Sequence, residues 1–182
     1  MIADQKFEKV TELSAKEYES CSFHNCDFTE ANFSNIKLLE CEFSDCNLSN
    51  MKVGGTSLLD AAFKNCKVLG VHFEHINSIL FSAKFDNCQL DHSSFYQMDL
   101  RSLAFENSKL EGVDFTEADL KNVIVKNCNL NDATFERSNL EAADFRGSFM
   151  FSIDPENNNV RKAKFTKSQL EGLLGKYNLK IE

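Results

Sequence analysis

In the stretch KNCNLNDATFERSNLEAADF, residues 126–145, the large apolar side chains fall at Leu130, Phe135, Leu140 and Phe145. A step of five fits neither an α-helix, whose buried stripe recurs every three or four residues, nor a strand, whose faces alternate every two. The same step runs through most of the chain. It passes from Tyr18 through Phe23, Phe28, Phe33, Leu38, Phe43, Leu48, Val53, Leu58, Phe63, Val68 and Phe73. Two extra residues, Ile76 and Asn77, then shift the count, and it resumes at Leu80, Phe85, Leu90, Phe95, Leu100, Phe105, Leu110, Phe115, Leu120, Val125, Leu130, Phe135, Leu140, Phe145 and Met150.

Two residues before each of these central positions stands a second small or apolar residue. Examples are Cys21, Cys26, Ala31, Ile36, Cys41 and Cys46, and later Val113, Ala118, Val123, Cys128 and Ala133. Polar residues separate the two. This predicts a short strand with both of these side chains pointing inward, followed by a polar corner, once in every pentad.

The segments CDFTE, ANFSN, CNLSN, EADL and AADFR make the chain resemble the pentapeptide-repeat proteins over roughly residues 16 to 150. The resemblance implies an all-β solenoid: a right-handed quadrilateral parallel β-helix with four pentads to each coil. The sequence supports this independently, because from Leu38 onward Leu and Phe (or Val) alternate, so positions ten and twenty apart match. The alternation continues across Ile76–Asn77, which marks a bulge at one corner. The expected organisation is an N-terminal cap segment (1–15), the β-helix (16–167) and a capping helix with tail (168–182).

All seven cysteines, at 21, 26, 41, 46, 66, 88 and 128, occupy the inward minus-two position. On a four-sided coil Cys26, Cys46, Cys66, Cys88 and Cys128 share one column, each preceded by Asn or Asp at a corner (Asn25, Asp45, Asn65, Asn87, Asn127). Those residue types tolerate unusual backbone angles and hydrogen-bond locally. Stacked thiols raise the question of metal or redox chemistry. The spacing is not that of zinc ligands and no histidine enters the column, so packing by a small buried hydrophobe is expected.

Composition narrows the functional classes. The chain has 182 residues, 17 Phe, no Trp, one Pro and a net charge of −8 with pI near 5.1. The acidity argues against nucleic acid or anionic membrane as a direct partner. With no secretory-type apolar start and no run of ~20 apolar residues, a soluble cytoplasmic protein is expected. No phosphate loop, HExxH, nucleophile elbow or paired-cysteine motif occurs, and no cofactor or metal is implied. The histidines, His24, His72, His75 and His92, fall at outward or corner positions. The expectation is a non-enzymatic rod-shaped interaction protein of unknown partner.

Function should then reside in outward columns. One candidate is an apolar stripe of Leu39, Leu59, Ile79 and Phe81, either a contact surface or a face covered by the N-terminal segment with Phe7 and Val10. A second is an acidic edge of Asp91, Glu111, Asp114, Glu117, Asp132 and Glu136. The family resemblance gives that edge an alternative meaning, since some pentapeptide-repeat proteins bind DNA gyrase or topoisomerase IV as duplex mimics and confer quinolone tolerance. A rod of roughly 27 pentads is about 33 Å long at ~4.8 Å per coil, and duplex DNA of that length carries about twenty charges, more than this chain's −8. The third candidate is the C-terminal segment SQLEGLLGKYN, expected to be a short α-helix bearing Leu170, Leu173, Leu174 and Tyr177 on one face. NLKIE should follow as a short strand. This end is expected to be either a simple lid on the last coil or, as the resemblance implies, a homodimer contact.

Overall fold

The computed structural model describes residues 1–180, the side chain of Leu80 excepted. The chain winds as a four-sided parallel β-solenoid in which each residue sits above the one about twenty positions earlier. Glu17–Glu19, Lys37–Leu39 and Ser57–Lys64 pair in parallel with Tyr18, Leu38 and Leu58 in register. We call this face one. On face two the register runs Phe23, Phe43, Phe63, Phe85, Phe105, Val125. Isolated parallel bridges such as Asp27↔Asn47 and Asn47↔Lys67 join the coils on face three, and Asn32↔Lys52 and Ser94↔Asp114 do so on face four.

The corner explains the step of five. Two residues past most central positions the backbone is left-handed, with φ from 49° at Ser20 to 81° at Gly147; Ser102 is among the exceptions. Ala31 N–H donates to Phe28 O (3.0 Å) and Ile36 N–H to Phe33 O (3.0 Å), closing four-residue turns with positive φ at the third residue. That position favours Asn or Gly. Asn25, Asp45, Asn65, Asn87 and Asn127 all adopt this conformation. Their side chains ladder between coils, Asn65 Nδ2 donating to Asp45 Oδ1 (3.1 Å) and Asn87 Nδ2 to Asn65 Oδ1 (2.9 Å). At Gly147 (φ 81°) a Cβ would lie 2.0 Å from Asn127 Oδ1, so a side chain there would have to displace that amide.

The turns aim the central side chains at the axis, where they stack in columns. On face two the rings of Phe7, Phe23, Phe43, Phe63 and Phe85 lie nearly parallel with centroids 4.8–5.0 Å apart. On face four Phe73, Phe95, Phe115 and Phe135 do the same at 4.6–5.5 Å. The two columns meet edge to face, as in Phe95–Phe105 and Phe105–Phe115. These are the preferred offset and T-shaped arrangements, worth about 0.5–1.5 kcal/mol per pair beyond area burial.

Three expectations are corrected. First, the bulge is larger than two residues. After the 3₁₀ turn Phe73–His75, Ile76 points inward, and a second 3₁₀ turn, Ser78–Leu80, loops out with Asn77 Oδ1 accepting from Ile79 N–H (3.2 Å). Phe81 then takes the inward slot over Leu58 and is buried, 6% exposed. Ser82 lacks the left-handed corner, so Phe85 regains the register after one residue fewer. Phe81 therefore does not belong to an outward stripe.

Second, the N-terminal segment does not cover face one. Ile2 pairs with Tyr18, Phe7 with Phe23, and Val10 O accepts from Asp27 N–H (3.1 Å), so these residues lay a further partial coil on the end of the stack. Third, the C-terminal helix is 3₁₀, not α: Lys167–Leu173, then Gly175–Tyr177. Ile153 N–H donates to Gly172 O (2.9 Å), and a Cβ at Gly172 would meet Phe151 O at 2.4 Å. The helix thus seats closely on the last coil. Residues 178–180 form no strand, and the rest of the strand expected for NLKIE, 181–182, lies outside the described residues.

Phe115 is fully buried between Phe95 and Phe135, whereas Thr116 faces outward. Chemical denaturation should show Phe115→Ala losing about 3–5 kcal/mol and Thr116→Ala less than ~0.5 kcal/mol. Equal losses would contradict this register.

Candidate interaction surfaces

All seven thiols are free and buried. The reason a cysteine suits the slot is hydrogen bonding as well as size. Each Sγ sits 3.2–3.4 Å from the carbonyl two residues earlier, as in Cys46 to Ser44 O and Cys66 to Lys64 O, and most also reach a carbonyl of the previous coil. Ser108, in the same column, makes the same contact with Glu106 O (2.7 Å). Burial pushes the Cys41 and Cys128 thiols up to about 11. Among the described residues no group of three or more His, Cys, Asp or Glu is placed to hold a metal. His72 and His75 flank the bulge with ring centroids 5.9 Å apart, and His72 Nδ1 lies 2.9 Å from Glu74 Oε1.

Of the outward stripe, Leu39 and Leu59 are half-buried neighbours in the face-one sheet. Ile79 stands on the bulge, 89% exposed. The bulge leaves the sheet between Asn77, whose N–H donates to Thr56 O (2.8 Å), and Phe81 over Leu58. Ile79 therefore projects beside the Leu39–Leu59 lane, and with Phe81 inside the surface is those three residues.

Beyond the bulge, face one changes character. Asp99, Arg101, Asp119, Lys121, Glu141 and Arg161 form a ladder of ion pairs up the rod, including Arg101–Asp119 (3.5 Å), Lys121–Glu141 (3.2 Å) and Arg161–Glu141 (2.8 Å). These charges answer one another across coils.

The acidic edge lies at the corner between faces three and four. Asp91, Glu111 and Asn131 stack on face three, Asp132 sits at the corner itself, Asp114 and Glu136 face outward on face four, and Glu117 stands at the next corner, stacked between Gln97 and Arg137. Much of its charge is engaged. Glu117 accepts from Gln97 Nε2 (2.6 Å) and pairs with Arg137 (2.6 Å), which together hold its carboxyl below the usual range. Asp91 Oδ1 accepts from Glu111 N–H (3.0 Å) and Asp114 Oδ1 from Thr116 N–H (2.8 Å). Asp132 and Glu136 are exposed.

The Asp114 contact is general, and sequence reasoning missed it. The residue just before a central position often accepts from the N–H two residues on. Asp27, Asn32, Asn47, Asp99, Asp119, Asn129, Asn139, Asp144, Asp154 and Asn159 all do so. The recurrence of Asp or Asn at that one place was the available signal. Asp144 carries the extreme case: buried and held by Arg146 (2.8 Å) and Lys126 (3.3 Å), its carboxyl lies well below the usual range.

At the C-terminal end, Leu173 packs on the core while Leu170, Leu174 and Tyr177 are 41%, 36% and 52% exposed. In a 3₁₀ helix residues three apart align, so Leu170 and Leu173 share one row and Leu174 and Tyr177 another. Lys176 pairs with Asp154 (2.8 Å) and Glu156 (2.6 Å), and Tyr177 O–H donates to Glu156 (2.8 Å). Exposed Phe149, Met150 and Leu179 extend the apolar surface at this end of the chain.

A solenoid whose core is closed by stacked Phe and Leu, with its charged residues in outward lanes, defines a repeat protein of the β-helix class. The chain belongs to the pentapeptide repeat family: residues 16–78 and 78–154 match the model described as pentapeptide repeat region. Comparison with curated proteins gives no match. Among solved structures, trypsin-treated QnrB1, a plasmid-mediated fluoroquinolone resistance protein, superposes with TM-score 0.72 at 18% identity, over 98% of this chain and 99% of that one. Full-length QnrB1 gives 0.61 at 16%, over 97% and 100%. HetL, a pentapeptide repeat protein of a Nostoc cyanobacterium involved in heterocyst differentiation regulation, gives 0.32 at 16%, over 87% and 88%. Among the described residues no helix is long and apolar enough to cross a membrane.

Two outcomes are expected. The seven thiols should resist a bulky labelling reagent until the protein is denatured; rapid native labelling of Cys66 or Cys88 would contradict their burial. Asp114→Ala should cost about 1 kcal/mol, the turn bond being lost, while Glu136→Ala changes denaturant stability by less than ~0.5 kcal/mol. If the two variants are equally stable, the capping role of Asp114 is wrong.

Proposed function

We propose that this chain is a non-enzymatic interaction module of the cytoplasm, a setting that suits seven free thiols, and that it binds a partner protein through an outward face. The observation that carries this is the contrast along face one. Its C-terminal half is closed by ion pairs between coils, while its N-terminal half presents Leu39, Leu59 and a nearly fully exposed Ile79. Large exposed apolar side chains on a rod that already has a complete core favour a contact surface. Affinity capture from host lysate on the immobilised full chain tests it, with a rod of scrambled outward residues as control. Specific recovery of a stoichiometric protein is expected; recovery of none, or substrate turnover in an activity screen, would overturn it.

The second reading is a gyrase- or topoisomerase IV-binding DNA mimic, favoured by likeness in fold to QnrB1 over nearly the whole of both chains. The engagement of Glu117, Asp91 and Asp114 within the rod weighs against it, because a mimic needs charge free to meet cationic groups on its target. A supercoiling assay decides this: the account expects no inhibition and no protection against a quinolone at large molar excess, and salt-sensitive inhibition would establish the mimic.

For assembly, the exposed Leu170, Leu174, Tyr177 and Leu179 support a homodimer through the C-terminal end. Light scattering should give a dimer that becomes a monomer with Leu174→Glu and Tyr177→Glu together. A monomeric parent protein would leave this segment as a lid only.

A further inference from the structure

We infer that the N-terminal half of face one receives a basic amphipathic helix of the partner protein, an inference that rests on the interaction-module reading. The surface has an apolar floor, an apolar wall and an acidic rim. Leu39 and Leu59 are the floor, one coil apart in register. Ile79 is the wall, lifted out of the sheet by the Ser78–Leu80 turn. The rim is the adjoining corner lane, where left-handed backbone places Glu40 and Asp60 outward and exposed. Glu19 extends the Leu39–Leu59 lane towards the N-terminal end of the rod.

The rim carboxylates lack cationic partners. Glu40 accepts only a long bond from Ser20 Oγ (3.4 Å), and Asp60 accepts from Ser82 Oγ (2.9 Å). Among the described residues every ion pair within 4.0 Å involves residues from His72 onward, so the N-terminal half of the rod has no ion pairs at that distance. Of the bases on this stretch of face one, Lys37 lies opposite Glu17 in the sheet and Lys16 stands beside it at the N-terminal end. Beside the rim lies a groove of about 340 Å³ lined by Asp60, Ala61, Ala62, Ser82, Ala83 and Lys84 among others. A basic side chain laid over Leu59 has Asp60 within that groove to meet it.

Spacing selects the helix over an extended segment. Levels of the rod repeat every ~4.8 Å. Same-side residues recur every ~5.4 Å along a helix, against about 6.6–6.8 Å along a strand at ~3.3–3.4 Å per residue. Over three levels a helix stays nearly in step with the lane and a strand does not. Apolar residues one and two turns apart therefore meet Leu39 and Leu59, and lysines or arginines on the flank meet Glu40 and Asp60.

The test uses full-length protein and a designed, fluorescently tagged helical peptide of Leu and Lys, read by anisotropy. A Leu and Glu helix and a Leu and Lys peptide with alternating, strand-type order serve as comparison probes. The Leu and Lys helix should bind best and weaken as salt is raised. Ile79→Ser and Asp60→Ala should each lower its affinity by roughly tenfold, a loss of ~1.4 kcal/mol, while Asp132→Ala on the far corner leaves it unchanged. Because Ile79 is almost wholly exposed, its replacement does not threaten the fold. Equal binding by the acidic helix, better binding by the alternating peptide, or indifference to Ile79→Ser would overturn the inference. So would self-association of the parent protein that Ile79→Ser abolishes, which would assign the face to a second copy. A lysate partner retained fully by Ile79→Ser would overturn this surface and leave the module reading intact.

Discussion

The regular part of this molecule follows from one backbone constraint, a left-handed residue two places after the central inward side chain of most pentads. An extended segment that turns through that conformation spends five residues per side and twenty per coil. Each inward residue thus arrives over its counterpart from the coil before. The column of Phe7, Phe23, Phe43, Phe63 and Phe85 is a consequence, as is the amide ladder through Asp45, Asn65 and Asn87. A left-handed conformation costs an ordinary L-residue about 1–2 kcal/mol, which is why Asn, Asp and Gly recur at the corners. Ala142 takes the same conformation at φ 58° without a side chain to help. There its N–H bond to Arg161 O (2.8 Å) and the stacked coils impose the corner.

Most of this was legible in the sequence, because the step of five, the small inward residue and the Asn or Asp corner are each local and repeated many times. What was not legible depended on single events. Leu80 and Phe81 are adjacent and both apolar, so periodicity alone does not say that Ser82 omits its corner and that Phe81 goes inside. The last helix winds as 3₁₀ where the helical spacing of its leucines suggests α, and its seating through Gly172 against Phe151 is a tertiary contact no local pattern shows. A count of carboxylates does not distinguish exposed Glu136 from Asp114, whose oxygen closes a turn, so the free charge of the acidic edge is not legible in the sequence. The minus-two cysteines were correctly placed inside, but their bonds to corner carbonyls became visible only once the coils were stacked.

The surface differs from the core in how it is determined. Inward positions answer to packing, and outward lanes are free to vary, so an outward lane that is internally balanced has little left to offer a partner. The Asp99–Arg101–Asp119 ladder is such a lane. The stretch around Leu39, Leu59 and Ile79 is not, since it combines uncovered apolar area with carboxylates that have no counter-charge. It also adjoins the bulge at which the regular corner fails. The bulge interrupts an otherwise regular repeat, and it is where the proposed recognition is concentrated.

The corner constraint is tested most directly at Asn122, which is exposed, has φ 63°, and makes only a backbone bond, from its N–H to Glu141 O (2.9 Å). The measurement is the denaturant stability of Asn122→Val beside Asn122→Gly. Glycine adopts the left-handed conformation freely and should stay within ~0.5 kcal/mol of the parent protein. Valine, β-branched and strained there, should lose about 1–2 kcal/mol. If valine is tolerated as well as glycine, the left-handed corner does not govern the coil and the account of this fold is wrong.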